Sequence, residues 1–388
     1  MTTLTVVMLT LAVAMVTLAV SASAQRPPRT DIGALITGAG YPLEEHYVTT
    51  ADGYKLLMQR IPRKGAKAVY LQHGLVDSAA TWLVNEPNES LGFILYDAGY
   101  DVWFGNARGN GQSWEGPPGC DPSEACFWAF SWDQMASLDM PAMVAYVRAT
   151  TGSGKIGYIG HSQGTMMAFA GLEPGDAASI AVVAALAPVA RVYHVDLGPF
   201  KLVADLPTKW VYEILGHGEF NLDPATVSKL LPAVCEVEKS LCNEIVCLVA
   251  GCDSANLNKT RFDVLFEYFP SPTSVQDIIH FKQGVNTETF QAYDYGSVSA
   301  NVAHYNRTTP PLYNLAAFAG KVGLFSGGRD KLADPTDVAW LKSQLPLDAV
   351  VMDKIYPNLG HADFVWGLNA HTLVYPDVLA LLKAADWE

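Results

Sequence analysis

Ser162 is the first residue of this chain whose neighbours could make it reactive. It stands between Gly160 and Gly164, after an apolar run and before a stretch of small residues. Two such glycines permit a sharp turn from a strand into a helix, which raises the serine Oγ above the strand and aims the helix N-terminus at it. Because G-x-S-x-G also arises by chance, a plain turn serine is the alternative, and the prediction of a nucleophile needs partners.

A serine hydroxyl becomes a nucleophile when a histidine accepts its proton and a carboxylate orients that histidine. After a turn of this kind, the acid and then the histidine follow along the chain. We predict that the base is His361, in a loop rich in Gly, Pro and Asn, with His371 in the closing helical stretch as the alternative. We predict that the acid is Asp330, directly after an apolar strand. Asp334 and Asp337 are interpreted as helix caps, a role that Asp330 could also have.

Ester cleavage by a serine also needs N–H donors for the oxyanion that forms. One candidate is the backbone N–H of Gln163, directly after the serine. The other is the N–H of Leu75, in a turn that follows an earlier apolar run. We expect His73 and Gly74 to shape that turn, with a metal-ligand role for His73 as the alternative, and His161 to pack at the serine turn. No metal and no organic cofactor is predicted.

Apolar segments rich in β-branched and aromatic residues alternate with helical stretches along the chain. This alternation predicts an α/β fold, with a mostly parallel sheet covered by helices on both faces. A hairpin is predicted to turn at Asp52-Gly53, and a helix is predicted over residues 133–150. The predicted buried strands are residues 66–74, 99–106, 155–162, 179–188 and 321–328.

The alternation stops between about residue 191 and residue 310. This stretch is rich in aromatic residues and amphipathic helical patterns, and the strands resume at Lys321. We therefore predict a core of residues 25–190 and 311–388, with an inserted, mainly helical cap or lid domain of residues 191–310.

The composition sets limits on the partners of this protein. Half of the 388 residues are hydrophobic and 16% are charged, which predicts a well-packed globular protein. The net charge of −14 argues against binding to nucleic acid or to anionic membrane surfaces. An uncharged, apolar substrate would meet no such repulsion.

The N-terminus predicts entry into the secretory pathway. Residues 4–20 are apolar or threonine, and Ala22-Ser23-Ala24 forms a cleavage site before Gln25. Residues 1–24 are therefore predicted to be a signal peptide. An uncleaved anchor helix is the alternative, but about 17 apolar residues are few for a span that needs roughly 20.

Cysteines and glycosylation sequons agree with a secreted or lysosomal destination. An even number of cysteines in an oxidising compartment predicts disulfides. The sequence leaves the pairing open. A zinc site is the alternative, which the lack of C-x-x-C pairs and clustered histidines disfavours. The cysteines are Cys120 and Cys126, which bracket a short loop, and Cys235, Cys242, Cys247 and Cys252, for which we favour 235–242 and 247–252. The predicted N-glycosylation sites are Asn88, Asn258 and Asn306.

Several motifs resemble the acid lipase family, which contains gastric lipases and lysosomal acid lipase. They extend from the hairpin to the last helix: LQHGL, AGYDVWFGNARGN, FWAFSWDQMASLDMPA, GHSQGT, FQAYDYGS, LADPTDV and HADFVWG. The resemblance implies an α/β-hydrolase core, a helical cap with a lid, and hydrolysis of triacylglycerols or cholesteryl esters at a lipid–water interface.

The resemblance also implies roles for individual residues. The catalytic residues of the family fall on Ser162, Asp330 and His361, and its oxyanion amides fall on Leu75 and Gln163. The cap disulfide of the family corresponds most closely to Cys235–Cys242, with a different spacing, and the other four cysteines are additions.

Two other functions are compatible with parts of this pattern. A catalytically silent lipid carrier of the same fold would have no need for an intact serine, acid and histidine. A water-soluble carboxylesterase or thioesterase could use the same three residues, and only the long aromatic-rich insertion argues for a lipid substrate.

Overall fold

The computed structural model describes residues 30–172, 177–196, 204–221, 247 and 251–387. The predicted signal peptide lies outside the described residues, as do Cys235 and Cys242. None of the helices in the described ranges is long and apolar enough to cross a membrane.

Eight strands form one central sheet, and two very short strands form a second sheet. In the order along the central sheet, the strands are β1, β2, β4, β3, β5, β6, β9 and β10. The first two pairings are antiparallel and all later ones are parallel. The strands are β1 (Glu44–Thr49), β2 (Lys55–Ile61), β3 (Ala68–Gln72), β4 (Asp101–Gly105), β5 (Ile156–His161), β6 (Ile180–Leu186), β7 (Glu219–Phe220), β8 (Thr273–Ser274), β9 (Val322–Gly327) and β10 (Val350–Tyr356).

The five predicted parallel strands are confirmed as β3, β4, β5, β6 and β9. Every residue of these five strands is buried, as continuous apolar runs predict for a sheet with both faces covered. The predicted hairpin is confirmed as the antiparallel pair β1–β2, whose turn contains Asp52 and Gly53.

Helices pack on both sides of the central sheet. Those of at least seven residues in the described ranges are α1 (Ile32–Gly38), α2 (Leu91–Asp97), α3 (Met140–Thr151), α4 (Gln163–Gly171), α5 (Thr208–Leu215), α6 (Phe262–Tyr268), α7 (Val275–Val285), α8 (Val298–Tyr305), α9 (Pro335–Gln344) and α10 (Tyr375–Ala384). Shorter helical turns are Ala79–Trp82, Ala125–Trp128, Trp132–Gln134, Met135–Asp139, Ser254–Asn256, Lys259–Arg261, Leu315–Ala317, Asp363–Trp366 and Ala370–Leu373.

The helix predicted over residues 133–150 is confirmed as a continuous helical stretch from Trp132 to Thr151, but it is not α-helical throughout. A short α-helical turn, Trp132–Gln134, passes into a π-helical turn, Met135–Asp139, before α3 begins. Pro141 stands in the first turn of α3 and has no N–H to donate, so the regular hydrogen-bond pattern cannot run through this point.

A buried polar contact joins the segment of residues 191–310 to the helical turn that begins at Trp132. The carboxylate of Asp277 accepts a hydrogen bond from the Trp132 backbone N–H at 2.8 Å. The carboxylate of Asp133 accepts one from the Tyr293 N–H at 2.8 Å. The Trp132 ring stacks on His280 with 4.2 Å between ring centroids. Two sequence motifs that are about 150 residues apart therefore meet at this junction, which fixes residues 273–293 against the sheet core.

Candidate active site

Ser162 lies in a strained turn between β5 and α4. Its backbone has φ 54° and ψ −120°, in a region that non-glycine residues rarely adopt. Its N–H donates to the Leu186 carbonyl at 3.1 Å, which anchors the turn to the neighbouring strand. Strain of this kind persists only where the surroundings hold it, and it is frequent at reactive sites.

The two glycines beside this serine are required by close backbone contacts. A Cβ on Gly160 would lie 2.7 Å from the Gly164 carbonyl oxygen, at the start of α4. A Cβ on Gly164 would lie 2.4 Å from the Gln72 carbonyl oxygen, at the end of β3. Both positions therefore exclude a side chain, which explains the G-x-S-x-G spacing in physical terms.

The structure brings Ser162, His361 and Asp330 into one hydrogen-bonded chain. The Ser162 Oγ lies 2.7 Å from His361 Nε2. The other ring nitrogen, Nδ1, lies 2.9 Å from Asp330 Oδ2 and 3.1 Å from Oδ1. A carboxylate can only accept, so Nδ1 carries the proton and Nε2 is free to accept from the serine hydroxyl. The arrangement is that of a serine nucleophile, a base and an orienting acid.

Asp330 is held by its own loop after β9. Its Oδ1 accepts hydrogen bonds from the N–H groups of Leu332 and Ala333, both at 2.8 Å. Oδ2 is thereby left for the histidine. The residue is buried, with 2% of its surface exposed. Burial among donors keeps a carboxylate oriented and close to an imidazolium that forms beside it.

The other acidic and basic candidates have different surroundings. Asp334 caps α9 by accepting from the Thr336 N–H at 2.7 Å, as predicted. Asp337 is not a cap: its buried carboxylate accepts from Arg191 Nε at 2.6 Å and from the His194 N–H at 2.8 Å. His371 lies in the short helix before α10, where its Nδ1 donates to the Leu368 carbonyl at 2.7 Å.

The turn after β3 lies directly against the serine. A Cβ on Gly74 would be 3.0 Å from the Ser162 Cβ, so this backbone passes in contact with the nucleophile. Leu75 and Ser162 line the same cavity. Gln163 is the first residue of α4, where a backbone N–H has no acceptor one turn earlier in its own helix. Both predicted donors are therefore close to the serine, since Gln163 follows it directly along the chain and Leu75 lines the same cavity.

His73 supports this turn as a neutral ring. Its Nδ1 donates to the Gly74 carbonyl at 2.8 Å, and its Nε2 accepts from the Ala107 N–H at 3.1 Å. Burial lowers the pKa of His73 to about 4, which agrees with a ring that is uncharged at neutral pH. Its role in shaping the turn is the one that the sequence predicted.

His161 packs against the serine turn and contacts His361. Its Nε2 lies 3.0 Å from the His361 carbonyl oxygen, and a carbonyl only accepts, so Nε2 carries the proton. Burial, followed by the proximity of His361, lowers the pKa of His161 to about 3. The ring is therefore a neutral donor that holds the backbone of His361.

An apolar cavity of about 760 Å³, counting the part open to solvent, begins at Ser162 and His361. Residues from the core and from the segment 191–310 share its walls. The apolar side chains that line it are Leu75, Val76, Val189, Val192, Val195, Phe269, Phe281, Val285, Leu332, Ala362 and Trp366. This apolar lining suits a hydrocarbon chain attached to the group at the serine.

One acidic residue, Asp77, also lines the cavity. Burial raises the pKa of Asp77 to about 7, which the hydrogen bond from the Ser78 N–H only partly offsets. The residue is two positions beyond Leu75, and nothing in the sequence distinguished it from an ordinary turn aspartate. Only the tertiary structure shows that Asp77 is buried at the cavity.

Two of the predicted disulfides are present. Cys120 is bonded to Cys126, and Cys247 is bonded to Cys252. Among the sequons, Asn88 and Asn306 are exposed and Asn258 is partly buried, and glycosylation stays a prediction.

Comparisons with known proteins agree with this geometry. Residues 32–86 match the model of a partial alpha/beta-hydrolase lipase region, and residues 67–368 match that of the alpha/beta hydrolase fold. The chain is 40% identical over 364 residues to the gastric triacylglycerol lipase of Mus musculus, covering 91% of each chain. It is 38% identical over 365 residues to the lysosomal acid lipase/cholesteryl ester hydrolase of Homo sapiens, covering 91% of this chain and 90% of that one.

The chain belongs to the acid lipase family. Among solved structures, this acid lipase family member resembles a monoglyceride lipase from Saccharomyces cerevisiae, with a TM-score of 0.57 and 15% identity. That match covers 94% of this chain and 100% of the other. At this identity the likeness shows the shared α/β-hydrolase fold.

Proposed function

We propose that this protein is a lipase that hydrolyses carboxylic esters of neutral lipids, above all triacylglycerols, through an acyl-enzyme on Ser162. The observation that carries the proposal is the hydrogen-bonded chain from Ser162 through His361 to Asp330, whose serine and histidine line an apolar cavity. The family relatives named as triacylglycerol and cholesteryl ester hydrolases support the choice of substrate class.

Acylation follows from the positions of these groups. His361 Nε2 accepts the proton of the Ser162 hydroxyl while Oγ attacks the ester carbonyl carbon. The N–H groups of Leu75 and Gln163 stabilise the negative charge that develops on the carbonyl oxygen. His361 then gives its proton to the departing alcohol oxygen, and Asp330 stabilises the imidazolium in between.

Deacylation repeats the steps with water. His361 accepts a proton from a water molecule, whose oxygen attacks the acyl-enzyme carbonyl, and the same two N–H groups again stabilise the oxyanion. Return of the proton to Ser162 releases the fatty acid. Asp330 keeps the same ring nitrogen protonated throughout, so one histidine serves as base and then as acid in each half of the reaction.

The cavity favours an acyl chain rather than a small acid. Its lining includes Val192, Val195, Phe269, Phe281 and Val285 from residues 191–310. We propose that residues 191–310 form a cap domain over a core of residues 25–190 and 311–388. Since the cap supplies one apolar wall, its opening would expose that wall to a lipid surface.

We also propose that the protein acts outside the cytosol, either secreted or in the lysosome. The apolar leader of residues 1–24, the two disulfides and the three sequons support this destination. The gastric and lysosomal relatives agree with it.

A substrate panel with one variant tests the proposal. Wild-type protein should hydrolyse emulsified triolein, and Ser162→Ala should lose about 10⁶-fold in kcat without loss of thermal stability. A fluorophosphonate probe should label the wild type and not the variant. Cholesteryl oleate tests the second lipid class, and a soluble butyrate ester tests the esterase alternative. Lipid binding with no turnover of any ester would instead indicate a carrier.

A further inference from the structure

The backbone of His361 is held on both sides by groups outside the serine–histidine–aspartate chain. Its carbonyl accepts from His161 Nε2 at 3.0 Å. Its N–H donates to the carbonyl of Gly251 at 2.5 Å. His161 belongs to the serine turn, whereas Gly251 comes from the segment 191–310 and was not singled out by the sequence. The histidine therefore depends on a distant segment for its position.

Gly251 lies in a turn that a disulfide closes, and the residues of this turn that the structure describes are Cys247, Gly251 and Cys252. The N–H of Gly251 and the N–H of Cys252 both donate to the Cys247 carbonyl, at 2.8 Å and 3.3 Å. The bond between Cys247 and Cys252 joins the same two ends, with 4.4 Å between their Cα atoms. Cys247 is buried and packs in the main hydrophobic core, which ties the turn to the rest of the fold.

The turn also packs directly against the histidine side chain, in addition to making the hydrogen bond. Gly251 has φ +67°, and a Cβ there would lie 3.1 Å from the His361 Cβ. Asp253, the residue after Cys252, donates its N–H to the carboxylate of Asp363 at 3.2 Å. That carboxylate also accepts from the Gly360 N–H at 2.7 Å. The turn thus contacts the histidine loop at His361, and the adjoining Asp253 contacts it at Asp363, whose carboxylate also holds Gly360.

We propose that the disulfide-closed turn of Cys247, Gly251 and Cys252 is a positioning element for His361. It rests on the proposed role of His361 as the base. With the turn closed, the Gly251 carbonyl accepts from the backbone N–H of His361 and fixes its position. Because Gly251 has no side chain, the histidine Cβ can pack directly against it. Opening the disulfide releases the loop, and the ring moves out of line between Ser162 and Asp330.

The expected consequence is kinetic rather than a loss of substrate binding. A displacement of about 1 Å in a reacting group typically costs on the order of 100-fold in rate. Replacing both Cys247 and Cys252 by Ser should therefore lower kcat for p-nitrophenyl butyrate by about 10- to 100-fold, with KM nearly unchanged. The rate of fluorophosphonate labelling of Ser162 should fall in parallel, because it needs the same base.

A second disulfide provides the matched control. Cys120 and Cys126 close a similarly short loop and do not line the cavity at Ser162. Replacing both of these by Ser should leave kcat within about twofold of the wild type. Loss of activity in both double variants would mean that either disulfide is needed for folding. The variant Gly251→Ala, which keeps both disulfides, then tests the proposal.

Gly251→Ala keeps both cysteines and places a Cβ against His361. Its control is Gly152→Ala, since Gly152 has a similar φ of +72° and open space around the added Cβ. Gly251→Ala should lose kcat as the Cys247/Cys252 variant does, whereas Gly152→Ala should lose only stability, seen as a lower Tm.

The proposal is overturned if a folded Cys247/Cys252 variant and Gly251→Ala both retain kcat within about twofold of the wild type. In that case, an inactive Ser162→Ala variant would leave the proposed function standing. Substantial ester hydrolysis by Ser162→Ala would instead remove the proposed function itself, so the two failures are distinguishable.

Discussion

Asp330→Asn is the replacement that tests the orienting acid most directly. Oδ1 of Asp330 accepts from two backbone N–H groups, at Leu332 and Ala333, both at 2.8 Å. The amide oxygen of asparagine must take this place, because an NH₂ group there would face two donors. The NH₂ group then takes the position of Oδ2, which lies 2.9 Å from His361 Nδ1.

That orientation inverts the hydrogen bond on which the histidine depends. A protonated Nδ1 would face another donor, and each buried donor left without an acceptor costs about 1–3 kcal/mol. The ring avoids this by moving its proton to Nε2, where it can no longer accept from Ser162. Loss of the negative charge beside the imidazolium adds to the barrier. An Asp-to-Asn change in such a triad typically lowers kcat about 10⁴-fold, or about 5.5 kcal/mol.

The assay is kcat on a soluble p-nitrophenyl ester, together with the rate of fluorophosphonate labelling at Ser162. The matched control is Asp334→Asn in the same loop, because asparagine caps a helix about as well as aspartate. Asp330→Asn should retain the thermal stability of the wild type within a few degrees. The reasoning is refuted if Asp330→Asn keeps more than about a tenth of wild-type kcat, or if Asp334→Asn is the inactive variant.

Three further predictions concern the serine turn, the cavity and the cap. Gly164→Ala should lower the free energy of unfolding by about 1–3 kcal/mol and reduce kcat, because its Cβ would press on the end of β3; urea denaturation and steady-state kinetics check this, and an unchanged Tm would contradict it. Asp77, with its pKa raised to about 7 by burial, binds a proton in the folded state that the unfolded chain releases above about pH 4. Its contribution to stability is therefore complete below about pH 4 and is lost as the pH rises toward 7. The free energy of unfolding of the wild type should thus fall by about 4 kcal/mol more than that of Asp77→Asn between these pH values. Urea denaturation across this pH range checks this, and an equal fall in both proteins would refute it. If residues 191–310 form a lid, activity on a short-chain triacylglycerol should rise once the substrate exceeds its solubility, whereas smooth saturation through that point would favour a soluble esterase.

Much of the sheet and the serine turn was predictable because those features depend on neighbours along the chain. Continuous apolar, β-branched runs are stable only as strands covered on both faces, and β3, β5 and β6 have that character. Gly160 and Gly164 fix the turn around Ser162 because no other residue type fits the backbone contacts there. The order of serine, acid and histidine then narrowed the partners to a few residues near the C-terminus.

Local patterns failed where a residue's partner lies far away in the sequence. Asp337 stands in the first turn of α9 and has the sequence context of a cap, yet it pairs with Arg191 and His194, more than 140 residues earlier. The helix predicted over residues 133–150 is confirmed, but one of its turns, before Pro141, is π-helical rather than α-helical. Tertiary contacts decide the partners of Asp337, whereas the π-turn goes with the missing N–H of Pro141, which is a local feature of the sequence.

The sequence by itself determined the fold class, the serine turn and the short set of candidates for its partners, because residue type and spacing constrain the local backbone. Only the tertiary structure decided that Asp330 rather than Asp334 or Asp337 meets His361. It alone decided that Asp77 is buried at the cavity wall and that Gly251 holds the histidine loop. These outcomes depend on distances between segments that are up to 200 residues apart in the sequence. Such distances follow from how the sheet and the helices pack together, and local sequence patterns do not specify that packing.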